Sequence, residues 1–123
     1  MSHDELRQEY RFNIPLTVFI ELIAADDNKP ATIVISQTLD ISANGLRVIA
    51  DRELVVGSIL QSCIQCNDSA QRFILSTEVK WSHIYQEQGE YLIGLSLFES
   101  EDTDIQAWKQ FISAQYLKSI ENP

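Results

Sequence analysis

A chain of 123 residues, 45% of them apolar, can fill one domain with one core and is too short for two. Its 18 acidic residues against 9 basic ones leave a net charge of −9, which argues against gripping the phosphate backbone of DNA or RNA. Four glycines, three prolines and no low-complexity stretch argue against disorder beyond the termini. No apolar run is long enough to insert in a membrane, and the start Met1-Ser2-His3-Asp4-Glu5 has no signal-peptide core. The expected location is cytoplasmic, where Cys63 and Cys66 stay reduced.

In chain order, residues 1–13 are polar and aperiodic and read as a flexible N-terminal arm. Alternation begins at Ile14. Ile14, Leu16, Val18, Ile20 and Leu22 share one face, with Thr17 and Glu21 on the other, which predicts a half-buried strand. A turn at 26–30 leads to a second strand at about 31–39, a loop at 40–45 and a short third strand at 46–50. After a connection at 51–57, a fourth strand covers about 58–66 and a turn follows at 67–69. The fifth strand alternates most regularly. Phe73, Leu75, Thr77, Val79 and Trp81 face one side, and Ile74, Ser76, Glu78, Lys80 and Ser82 the other; Trp81 reads as core. A hairpin at 86–90 contains Gly89, and the sixth strand runs from about 91 to 98.

Periodicity then becomes helical. Ile105, Trp108, Ile112 and Tyr116 form a stripe widened by Phe111, Leu117 and Ile120, over about 103–120. Thr103 as N-cap and Gln106 three residues later suit a capping box. The expected fold is all-β with a C-terminal helix. Residues 14–123 form a six-stranded antiparallel β-barrel, closed so that no edge is exposed, with one α-helix plugging or flanking one end.

Two stretches carry chemistry. Arg7 and Arg11, four apart, can converge on a phosphate or on the O6 and N7 edge of guanine; alternatively they are solvated arginines of a frayed terminus. In the 40–45 loop, Asp40 can accept from the N1 and N2 edge of a guanine. Ser42 can donate to a phosphate or bridge to the loop backbone, and Gly45 permits positive φ or a close ligand approach. The alternative is an ordinary turn. Cys63 and Cys66 point to opposite faces of a strand and cannot share a metal, and no nucleophile stands beside a base. Neither a metal, a cofactor nor enzymatic activity is expected.

Taken together, the two stretches resemble the PilZ domain family. Arg7-Gln8-Glu9-Tyr10-Arg11 matches its RxxxR element before the first strand, and Asp40, Ser42 and Gly45 match its (D/N)xSxxG element between the second and third strands. Val79, Trp81, Gly94 and Phe98 resemble its later strand pair. The resemblance implies a split-barrel fold and a cyclic di-GMP receptor, with Arg7, Arg11, Asp40, Ser42 and Gly45 as ligand residues. With all 123 residues used by barrel and helix, the signal would pass to a separate, unidentified protein. Two other readings are a PilZ-fold interaction adaptor that binds no nucleotide, and an unrelated small barrel for nucleic acid or oligosaccharide. Leu6, preceding the RxxxR element, offers an apolar contact and no donor, so one nucleotide per chain is expected; Arg47, exposed by alternation, is a further candidate contact.

Overall fold

The computed structural model describes residues 10–22, 32–86 and 89–121. Six strands precede one helix: β1 (Leu16–Leu22), β2 (Thr32–Ile41), β3 (Gly45–Ala50), β4 (Ile59–Cys66), β5 (Arg72–Ile84), β6 (Tyr91–Leu97) and α1 (Ile105–Glu121). They close into a barrel in the order β1-β2-β3-β6-β5-β4, every neighbouring pair antiparallel. Because β1 pairs with both β2 and β4, the sheet has no free outer strand.

Period-two patterning builds the interior. Leu16, Val18 and Ile20 of β1, Phe73, Leu75 and Val79 of β5, and Ile93 and Leu95 of β6 pack in one buried cluster. Several inward hydroxyls are satisfied locally. Thr77 Oγ1 donates to the Leu60 carbonyl at 2.9 Å, and Ser36 Oγ to the Val18 carbonyl at 3.0 Å. Ile14, expected to open the first strand, lies outside β1.

Two strands break the alternation. In β2, Thr38 pairs with Val48 but Asp40 pairs with Arg47, so Leu39 is an unpaired extra residue. In β5, Val79 pairs with Leu95 but Trp81 pairs with Gly94, which leaves Lys80 extra. Each β-bulge inverts the faces beyond it. Ile41 therefore turns inward opposite buried Leu46, and Asp40 faces outward opposite half-buried Arg47. Ser82 turns inward opposite buried Ile93. Trp81, expected in the core, sits half-buried on the outer face.

The helix seals one barrel end. Ile105, Trp108 and Ile112 join the core, and the Trp108 ring meets Phe73 edge-on at 5.3 Å. The capping box does not form. Asp104 precedes the first helical residue, and its carbonyl accepts from Trp108 N at 2.8 Å. Asp104 also docks the helix start on β5 beyond the end of β6. Its N–H donates to the Ile74 carbonyl at 2.9 Å, and its Oδ2 accepts from Ile74 N at 2.8 Å. Thr103 Oγ1 instead donates to the Ser100 carbonyl, and Gln106 reaches Glu99. The free backbone groups of β5 recruit Asp104, which moves the cap one residue along the chain.

Candidate functional site

The two bulges bring one row of residues onto the outer wall. Asp40 pairs with Arg47, Arg47 with Gly94, and Gly94 with Trp81, so the row crosses β2, β3, β6 and β5. Directly opposite residues are near neighbours on a shared face. A Cβ on residue 94 would come within 2.3 Å of the Trp81 indole, so the ring lies against the backbone of Gly94. Its other neighbour is His83, stacked at 5.3 Å with planes 19° apart.

Asp40 is the charged centre of this row. Arg47 Nε donates to Oδ1 at 3.1 Å and to Oδ2 at 2.9 Å, and Arg47 Nη2 also donates to Oδ2. Arg11 Nη1 donates to Oδ1 at 3.0 Å. The Asp40 side chain is 5% exposed beneath the side chains of Arg47 and Arg11, which are 37% and 45% exposed. The hydrogen bonds to Asp40 raise the Arg47 pKa above its ordinary value, against a smaller opposing effect of burial. Asp40 is thus neutralised from both sides while its arginines stay open to solvent.

The arm is held where Arg11 leaves it. Phe12 N donates to the Ile41 carbonyl at 2.9 Å, and Ile41 N donates to the Phe12 carbonyl at 3.0 Å. This exchange, together with the Asp40–Arg47 pair, extends β2 through Ile41; the expected 40–45 loop shrinks to residues 42–44. Tyr10 is exposed and its ring lies 4.4 Å from that of Tyr116 on α1. Residues 10–12 are therefore tied to the sheet and the helix, unlike the free arm expected for 1–13. Arg7 and Leu6 lie outside the described residues.

Ser42 and Gly45 build the loop. The Ser42 hydroxyl donates to the Gly45 carbonyl and accepts from Gly45 N, both at 3.1 Å, and Ser42 N donates to the same carbonyl at 2.9 Å. Ser42 is fully buried, and its carbonyl accepts from Trp108 Nε1 at 3.0 Å. Of the two expectations for its hydroxyl, the bridge to the loop backbone is the one seen. Gly45 does not take positive φ; a Cβ there would meet the Leu95 carbonyl oxygen at 2.8 Å, so glycine permits close approach of β6. Trp108 thus ties the motif loop to the helix that seals the barrel.

The PilZ domain family profile matches residues 5–114. The chain belongs to the PilZ domain family. Among solved structures, this PilZ domain is similar to the Bacillus subtilis inhibitor of motility MotI/DgrA, with 21% identity and a TM-score of 0.63, over 91% of this chain and 51% of that one. It is also similar to YcgR from Escherichia coli in complex with c-di-GMP, with 15% identity and a TM-score of 0.66, over 94% of this chain and 48% of that one. The chain thus spans about half the length of these two structures. No curated protein matches it.

Within this PilZ domain the motif residues Arg11 and Asp40 meet directly, and Ser42 and Gly45 lie beside them. Sequence reasoning left the distance from Arg47 to Asp40 open and placed Trp81 in the core. Residue order alone could not locate Trp81, because alternation without a bulge puts it inside. Cys63 is outward and Cys66 inward and buried, which raises the Cys66 pKa. Among the described residues, no group of three or more His, Cys, Asp or Glu side chains is placed to hold a metal, and no helix is long and apolar enough to cross a membrane.

Proposed function

We propose that this PilZ domain is a cytoplasmic, non-enzymatic cyclic di-GMP receptor that passes the signal to a partner protein. The observation that carries the reading is the Arg11–Asp40–Arg47 cluster, which joins one residue of each family motif to a strand arginine and is open on the outer wall of the barrel. Arg11 meets Asp40 through one N–H, whereas Arg47 meets it through two. Arg11 is the group free to transfer to a phosphate or to the O6 and N7 edge of guanine. Its departure opens Oδ1 to the N1 and N2 edge of a guanine. Arg7, four residues before Arg11 in the RxxxR element, would join it at the ligand, and the half-buried Trp81 with its neighbour His83, two positions along the row from Arg47, is an aromatic surface for a purine to pack on. Ser42 and Gly45 keep in shape the loop that follows the end of β2, where Asp40 stands.

Output follows from the same arm. Tyr10, between the two arginines, contacts Tyr116 on α1, so moving Arg11 changes the surface shared by arm and helix. A partner protein that reads that surface would distinguish the loaded from the empty state.

The test is calorimetric titration with cyclic di-GMP, with GTP and cyclic di-AMP as controls. One nucleotide bound per chain is expected, with no comparable binding of the adenine analogue. Equal binding of cyclic di-AMP would refute the guanine-edge role of Asp40. No binding of cyclic di-GMP, with an unchanged set of protein partners in its presence, would favour the nucleotide-independent adaptor.

A further inference from the structure

We infer that Arg47 is a positioning residue, a strand-borne counter-charge that allows an aspartate to stand in the binding site of an anionic nucleotide, and that it stays on Asp40 while Arg11 transfers to the ligand. The inference rests on the receptor reading above and adds a residue that neither family motif contains.

An ionised carboxylate 5% exposed is costly unless paired, and beside a phosphate it also repels the ligand. The problem is sharper in a chain of net charge −9. In the described cluster, two arginines and one carboxylate leave one positive charge. Without Arg47, Arg11 and Asp40 would cancel and offer the ligand no net charge. The two arginines are held differently. Arg47 projects from β3 directly opposite Asp40 in the ladder, and its planar fork engages both carboxylate oxygens through Nε and Nη2. Arg11 sits on the arm, which reaches the barrel there through the backbone exchange between Phe12 and Ile41. A ligand competing for one of them displaces the single contact on the arm before the paired contact within the sheet.

The experiment is calorimetric titration of cyclic di-GMP into the wild-type chain and its Arg47 variants, with circular dichroism and thermal unfolding checking that each is folded. Arg47→Gln removes the charge and should weaken binding tenfold or more. Arg47→Lys keeps the charge but not the fork and should lose clearly less affinity than Arg47→Gln. In the Asp40→Asn background, Arg47→Gln should cost less than threefold, because there is no carboxylate left to neutralise. Equal losses for Lys and Gln, a wild-type affinity for Arg47→Gln, or the same loss in both Asp40 backgrounds would each overturn the counter-charge role. A wild-type chain that takes up no cyclic di-GMP would overturn the receptor reading itself, and this inference with it.

Discussion

The barrel carries the same irregularity twice, at Leu39 in β2 and at Lys80 in β5, and the two places resolve it differently. At Leu39 the inversion is compensated on both faces. Ile41 fills the interior, and Asp40 on the outside meets Arg47 and Arg11. At Lys80 the outer face gains Trp81 against Gly94, but the inner face receives Ser82, whose buried hydroxyl has no hydrogen-bond partner among the described residues. Elsewhere inside the barrel, Ser62 and Thr77 bond to each other at 3.0 Å. A bulge thus re-aims a side chain at the cost of whatever it turns inward. Where a polar side chain goes out and an apolar one goes in, the exchange stabilises. Where an aromatic goes out and a hydroxyl goes in, stability is lost and a half-buried ring is gained on the outer wall.

The sharpest way to break this comparison is Ile41→Lys. With the Leu39 bulge, residue 41 points into the core, and an unpaired charge there should cost several kcal/mol, on the order of 3–5, or prevent folding. Without it, Asp40 would be inside and the lysine outside with little effect. Urea unfolding decides, and a loss under about 0.5 kcal/mol would refute the bulge.

Next in size are the binding effects. Arg7→Ala, Arg11→Ala and Asp40→Ala should each lower cyclic di-GMP affinity tenfold or more, on the order of 1.4 kcal/mol, with the barrel still folded. Near-normal affinity in both arginine variants would sink the proposed site. At the second bulge, Gly94→Val should push the Trp81 ring off the row. We expect a destabilisation of about 1–3 kcal/mol, a shift in tryptophan fluorescence and a severalfold weaker ligand affinity. A variant whose fluorescence and affinity both match the wild type would show that Trp81 does not lie over residue 94. The smallest effect is a gain. Ser82→Ala removes the unpaired inward hydroxyl and should stabilise the fold by roughly 1 kcal/mol, seen as a rise in Tm of a few degrees. A loss of stability would mean that the hydroxyl has a partner.

Much of this molecule was legible in residue order. Period-two patterns from Leu16 to Leu97 and the helical stripe through Trp108 follow from which residues must leave water, so the number, kind and sequence of elements were set locally. Barrel closure followed as well, since six short strands otherwise expose edges. The motif spacing by itself singled out Arg7, Arg11, Asp40, Ser42 and Gly45 as candidates. What tertiary structure alone decided is which way the side chains point once pairing slips. Leu39 and Lys80 look like any other strand residues, and a bulge is a property of two strands whose lengths must match around a closed barrel. For that reason the ladder, and not the motif, put Arg47 on Asp40, moved Trp81 to the outer wall and left Ser82 inside. The helix cap has the same origin. Thr103 and Gln106 suit a capping box locally, but the unpaired backbone of Ile74 lies where Asp104 can satisfy both its N–H and its carbonyl, and a long-range partner of that kind cannot be read from neighbouring residues.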